Sequence, residues 1–468
     1  MVPLTLADFE ERALDTLVQY ATIECLSPGF DENWRDHGHI DAAVGLLADW
    51  ARQRRLADFR VDVLGLSGRT PVLMVTVEAH EVSDDATVVL YGHLDKQPPL
   101  GDWSEGLGPY RPVRRGDRLY ARGVADDGYS TFSALLALEE LEAQGRPHSR
   151  CVVLIEASEE SGSPDLDAYL DELAEHLGRV ELMICLDSGA LTYDRLWVTS
   201  SLRGLANVDL TVEVLERGQH SGSASGVIPS SFRVLRQLLD RVEDASSGRV
   251  LLDELHGEIP AAVRQAAHDV ADEFGADLFA DLPVVAGLHL MGESVAERIL
   301  NQTWRPTLSI VGMAGIPAPK DAGNVLRPST TATLSFRLPP TVDAARARAA
   351  VEDALTRDVP EGARVTVSGH HADGWASPPV APWLSAALDA ASRGAFGRAP
   401  GYTAEGGTIP FLASLGRRYP EVQFVATGVL GPDSNAHGID EMLDLPTCVA
   451  VTNAVSDVLA AFTRRKDS

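Results

Sequence analysis

Apolar residues recur at helical spacing over residues 5–23, where Leu6, Phe9, Ala13, Leu14 and Leu17 fall near one stripe, and the pattern returns over 40–53. Three short runs of β-branched and apolar residues follow at 59–64, 72–78 and 87–91, the last stopping at Gly92-His93. A helix over 130–143, a strand over 151–157, an Asp-rich helix through 177 and a strand over 182–186 complete this first pattern. Strands alternating with helices predict an α/β layer, whose ligands collect beyond the carboxyl ends of the strands.

The rhythm changes near residue 204. Residues 204–216 alternate as a half-buried strand does, a long helical region occupies 232–279, and strands at 308–311 and 332–338 come next. Pro339-Pro340 stops the last of these, the Thr341-Val342-Asp343 run can cap a helix over 344–355, and 364–369 supplies another strand. Two strand-helix units of this kind predict a second domain, inserted rather than appended. From Trp375 the chain resumes helix and strand, with 383–396 and 422–426 returning to the first domain. A length of 468 residues agrees with two domains, because one core stops growing below that size.

Charge narrows the partners. The chain has 68 acidic and 40 basic residues, a formal net charge of -28, and such a surface repels phosphate backbones and anionic lipid. Neither nucleic acid nor a membrane is expected to bind. Cys25, Cys151, Cys185 and Cys448 lack CxxC spacing and are expected to be reduced core residues. The N-terminus is acidic and amphipathic where a secretory leader needs a basic start and an apolar run, and no segment is expected to span a bilayer. The resulting expectation is a cytoplasmic protein.

Acids and histidines gather where the apolar runs end. Tyr91-Gly92-His93-Leu94-Asp95 puts an imidazole and a carboxylate two positions apart, so that in extended chain Asp95 can hold the noncoordinating nitrogen of His93. The run 122–128 closes an apolar stretch with Asp126-Asp127, where two unneutralised carboxylates are costly and a cation removes that cost; Asp126 is the candidate bridge between two metals. Glu159-Glu160 can divide two jobs, one carboxylate coordinating and the other moving a proton from water. Asp187 follows the next strand, and His437 sits in a polar loop near the end of the chain. Imidazole and carboxylate donors suit zinc, and the lack of thiolate leaves manganese or cobalt open.

In this order the motifs Gly92-His93-Leu94-Asp95, 122–128 with Asp126-Asp127, Glu159-Glu160-Ser161-Gly162, Asp187-Ser188-Gly189 and the His437 loop resemble the M20 family of metallopeptidases, particularly its dipeptidase and carnosinase-like branch. The resemblance implies a catalytic α/β domain with a mixed, mostly parallel sheet, interrupted by a smaller α/β lid that makes a homodimer contact. The segments become 1–204 and 372–468 for the catalytic domain and 205–371 for the lid. It implies two divalent ions per subunit: His93 and Asp187 on one, Glu160 and His437 on the other, Asp126 between. Asp95 orients His93 and Glu159 is the general base. His220 of the lid stabilises the oxyanion, in the neighbouring subunit's centre. Asn324, Arg337, Glu405, Gly406, Gly407 and Thr408 fall at substrate-binding positions, Arg337 suiting a terminal carboxylate.

The implied reaction is hydrolysis of a dipeptide by metal-activated water; an aminoacylase or deacylase acting on N-acyl amino acids is the alternative, and a noncatalytic metal-dependent binding protein a more distant one. Two positions depart from the family's usual pattern. Gly128 stands where similar enzymes often have Lys, and Lys96 follows the Asp95 motif, where a cation beside the pocket is expected to alter which substrate fits.

Overall fold

The computed structural model describes residues 3–280, 282–407 and 410–465. The chain divides into two compact units, Met1–Ser200 with Ser377–Thr403 and Ser414–Ser468, and Ser201–Ala376 with Ala404–Ala413. An α/β unit is thus interrupted by a smaller α/β unit. The family resemblance implies an insertion over 205–371; the second unit here runs from 201 to 376 and also takes 404–413.

In the first unit the strands lie in the order Phe59–Leu64, Val72–Val77, Arg150–Glu156, Ala86–His93, Arg179–Cys185, Gln423–Ala426 and Trp197–Leu202. The four strands from Arg150–Glu156 to Gln423–Ala426 are mutually parallel, and the flanking pairs are antiparallel. Val72–Val77 and Ala86–His93 are buried at every position, so they read as continuous apolar runs rather than alternating ones. Because Ala86–His93, Arg150–Glu156 and Arg179–Cys185 point the same way, His93, the Glu159-Glu160 turn and Asp187 all emerge at one edge of the sheet.

Helix Ser130–Ala143 is buried along most of its length, with Leu135, Leu136, Leu138 and Leu141 at 0% exposure. Burying each such leucine contributes about 1.5–3 kcal/mol. Trp50 meets Phe132 of this helix edge to face, ring centroids 4.6 Å apart. The expectation that no segment approaches a membrane span needs correction: Leu445–Phe462 is long and apolar enough to cross one. It is instead a core helix, 72% buried and packed against Ser130–Ala143 and Pro382–Phe396. All four cysteines are buried and unpaired.

The second unit is built on an antiparallel sheet in the order Thr307–Ala314, Ser329–Leu338, Gly204–Glu213, Arg364–Ala372. Strand Ser329–Leu338 alternates strictly between buried and partly buried positions, and helices Ser231–Leu239 and Ala344–Thr356 cover the apolar face. Asp343 caps the second of these helices by accepting the Arg346 N–H at 2.8 Å. The long helix expected over 232–279 is broken. Ser231–Leu239 gives way to the hairpin Glu243–Asp244 with Arg249–Val250, and helix resumes at Ala261–Phe274. The cause is local: Asp244 Oδ1 accepts the N–H groups of Ser246 (2.8 Å) and Ser247 (3.3 Å), a side-chain turn that competes with helix.

Candidate metal centre

Six side chains of the first unit converge although they span the sequence from 93 to 437. His93 Nε2 lies 3.2 Å from Asp126 Oδ1 and 3.8 Å from Asp187 Oδ2. His437 Nε2 lies 2.9 Å from Asp126 Oδ2 and 3.2 Å from Glu160 Oε2. The two oxygens of Asp126 therefore face two different imidazoles, one toward each half of the cluster. Two groups of three donors, His93 with Glu159 and Asp187 and His93 with Asp126 and Glu160, each bring their ligand atoms within 4.8 Å of one another.

The electrostatics fit a cation. Burial raises the carboxyl of Glu159, and the carboxylate of Asp187 raises it further; Glu160 is raised by burial and then by Asp126. Burial works against ionised Asp126 too, but hydrogen bonds from His437 and His93 hold its carboxyl well below the usual range. Crowded acids of this kind are costly unless positive charge sits among them. The donors, imidazole and carboxylate at the mouth of a parallel sheet, are those that divalent cations take.

Residues 89–461 match the family model described as Peptidase family M20/M25/M40. The chain belongs to this family. The cysteinylglycine-S-conjugate dipeptidase of Corynebacterium striatum is 27% identical over 394 residues, covering 81% of this chain and 82% of the relative. The dipeptidase Dug1p of Saccharomyces cerevisiae superposes with a TM-score of 0.75 at 21% identity over 98% of this chain and 97% of its own. Human carnosine dipeptidase 1 gives 0.75 at 20% identity with the same coverage. The chain is a metal-dependent hydrolase of the family's dipeptidase and carnosinase-like branch, and its two clusters of His, Asp and Glu can coordinate divalent ions.

Neighbours of the cluster hold it in shape. Asp95 approaches His93 in two ways: its backbone carbonyl lies 3.1 Å from His93 Nδ1 and its carboxylate 3.5 Å. The carboxylate also accepts the N–H groups of Glu159 and Glu160, both at 3.1 Å, so it fixes the turn that carries them. Asp127 Oδ2 accepts the His93 N–H at 3.1 Å. Gln97 Nε2 donates to Glu160 Oε2 at 2.7 Å.

Glu441, fully buried, accepts Arg122 Nη1 and the Gly123 N–H at 2.8 Å each and the N–H groups of Ala125 and Asp126 at 3.1 and 3.2 Å. Sequence reasoning missed Asp127, Gln97, Arg122 and Glu441 as site residues. A signal for the last existed, since Asp440-Glu441 is a third acid pair beside a candidate ligand, like Asp126-Asp127 and Glu159-Glu160.

The expectation for Lys96 is overturned. Its side chain is fully buried, and Nζ donates to the carbonyls of Tyr20 (3.0 Å), Ala21 (3.4 Å) and Ile23 (2.8 Å), at and just beyond the C-terminal end of helix Asp15–Ala21. It caps a helix instead of lending charge to a pocket. Both departures from the family pattern meet at Tyr20. Lys96 Nζ sits 4.3 Å from the Tyr20 ring centroid, and a Cβ on Gly128 would lie 2.2 Å from Tyr20 Cε1 and 2.3 Å from the Gly123 carbonyl. With Tyr20 in that space, only glycine fits at 128.

On the second unit, His220 belongs to strand Gln219–His220, paired with Val325–Leu326, and its Nδ1 accepts the Gly222 N–H at 3.1 Å. Asn324 is next to it, its carbonyl accepting the Ser221 N–H at 2.8 Å. Arg337 is half-buried on strand Ser329–Leu338, and burial lowers its guanidinium. Glu405 ends strand Gly401–Glu405, the Gly406 carbonyl accepts Arg203 Nε at 3.2 Å, and Gly407 follows. Thr408 lies outside the described residues.

Proposed function

We propose that the chain is a two-metal dipeptidase. Asp126 carries the reading: its Oδ1 and Oδ2, at 3.2 and 2.9 Å from His93 and His437, face the two halves of the cluster as a bridging carboxylate must. His93 and Asp187 would hold one ion and His437 and Glu160 the other, with Asp126 shared between them. Zinc is our first choice, with manganese or cobalt as substitutes. When bound, the two cations polarise the scissile carbonyl and acidify the attacking water.

The residues divide the remaining work. Asp95 orients His93. Glu159 accepts the proton of the attacking water and returns it to the departing amine; its raised carboxyl, beside Asp187, supports a proton-carrying role. The second unit's candidates keep the roles the resemblance gives them. His220 donates to the tetrahedral oxygen, and the fork of Arg337 takes the terminal carboxylate. Asn324, Glu405, Gly406, Gly407 and Thr408 complete the substrate contacts. The dipeptidase names of the relatives support the substrate class.

We place the enzyme in the cytoplasm as a homodimer joined through the second unit. Four unpaired buried cysteines support the compartment. Edge strand Thr307–Ala314 supports the dimer, because it leaves Ile310, Val311 and Met313 47%, 63% and 48% exposed.

The test is a hydrolysis screen of unmodified dipeptides beside N-acetyl amino acids, with protein stripped of metal and then supplied separately with Zn²⁺, Mn²⁺ or Co²⁺. Turnover of dipeptides, restored by metal, is expected. Cleavage of the acylated amino acids alone would make the enzyme a deacylase.

A further inference from the structure

We propose that the second unit carries a binding site of its own for a small amphiphilic anion, a carboxylate on an apolar or aromatic body. Helices Ala261–Phe274 and Val295–Thr303 pack around Ile259, Ala267, Leu300 and Trp304, and beside them opens a cleft of about 900 Å³. That volume lies within the usual range of small-molecule sites.

The charge of its wall is opposite to that of the chain. Arg203, Arg249, Arg264, Arg298 and Arg305 line the cleft against one acid, Glu258, among the described residues. Acids outnumber bases 68 to 40 in the whole sequence, so a wall of average composition would be acidic. Arg305 pairs with Glu297 at 2.6 Å, and Glu297 also feels the charge of Arg264; Arg249 and Arg298 make no ion pair among the described residues. Five guanidinium groups set against two acids leave an excess of positive charge, which receives carboxylate or phosphate through paired donors.

A second observation points to the same ligand. Trp304 is 2% exposed, yet its Nε1–H has no acceptor among the described residues, and Arg298 Nε is buried and likewise unsatisfied. Both residues line the cleft, and both atoms can only donate. Buried donors left open beside an arginine wall call for an acceptor from outside the chain.

The body of the ligand follows from the other wall. Phe279 and Leu290 line it, and Leu282 and Met291 stand 49% and 65% exposed at its margin. A bare inorganic anion would leave this apolar surface wet, whereas an aryl or acyl group covers it.

Isothermal titration of the metal-loaded full chain with hydrocinnamate, octanoate, octanol and inorganic phosphate tests the proposal. The first two carry the same chemistry from two sources, an aryl-bearing acid and an acyl chain. Either or both are expected to saturate at millimolar concentration while octanol is silent, and whichever binds names the body. Arg264→Gln changes an exposed residue of its helix, so the fold survives; binding should weaken about tenfold. Trp304→Phe keeps the buried ring and deletes the donor, and should weaken binding about fivefold. The proposal is overturned if neither carboxylate saturates, if octanol binds equally, if phosphate is preferred, or if Arg264→Gln leaves the affinity unmoved. That last result is what capture of the carboxylate by the metal centre would give.

Discussion

Glu441 offers the sharpest test of how the metal centre is held, because its carboxylate accepts four hydrogen bonds from the segment that presents Asp126. Glu441→Ala leaves the Arg122 guanidinium, 1% exposed, without its carboxylate partner, and strips the Gly123, Ala125 and Asp126 amides of their acceptor. Removing one member of a buried ion pair costs roughly 3–5 kcal/mol. Water entering the vacated space can satisfy the amides, so their cost is not added. About 4 kcal/mol set against the ordered form of this segment corresponds to about a thousandfold in metal affinity if the ions bind only that form.

Chelator competition and metal stoichiometry would measure this loss, and denaturant unfolding the stability. Arg122→Met should rescue part of the defect by removing the orphan charge, giving a coupling of about 1–3 kcal/mol in the double-mutant cycle. An unaltered metal affinity in Glu441→Ala, or strictly additive effects, would refute the reasoning.

Lys96→Met should destabilise the first unit by roughly 2–4 kcal/mol, because it deletes three charge-assisted hydrogen bonds to buried carbonyls, while the ratio of dipeptide to N-acyl amino acid cleavage stays that of the parent. An unchanged unfolding midpoint together with an altered substrate ratio would return Lys96 to the pocket. Glu159→Gln should keep the parent's metal content and lose about 10²–10⁴-fold in turnover; near-parental turnover at full metal loading would remove Glu159 as the base.

The parts of the molecule that could be read in advance are those where one periodicity or one local rule decides the outcome. Strand Phe59–Leu64 and helix Ser130–Ala143 have the expected positions because the spacing of apolar residues marks them, and the Asp343 cap does because an acceptor side chain at a helix start is a local rule. The break in 232–279 was signalled too, by Asp244, Ser246, Ser247 and Gly248, but the apolar spacing outweighed these turn formers. Lys96 was beyond reach for a different reason. It follows Asp95 in sequence, but its direction is set by a helix end some seventy residues earlier, and a buried lysine satisfied by carbonyls leaves no local trace.

The acids of the centre make a further point about why ligands so distant in sequence stay in register. Asp95, from the His93 segment, holds the amides of Glu159 and Glu160; Asp127, from the Asp126 segment, holds the His93 amide; Glu441, from the His437 segment, holds the Asp126 segment. Four of the five candidate ligand segments, those of His93, Asp126, Glu159-Glu160 and His437, are thereby tied to one another by carboxylates that accept backbone hydrogen bonds. A carboxylate serves here better than a neutral acceptor, since two oxygens can take several amides at once and charged acceptors make stronger bonds. The same choice adds negative charge behind the ligands, which strengthens the demand for cations in front of them. At Asp126-Asp127 two needs are thus met side by side, one carboxylate facing the imidazoles of the cluster and its neighbour fastening the segment that presents His93.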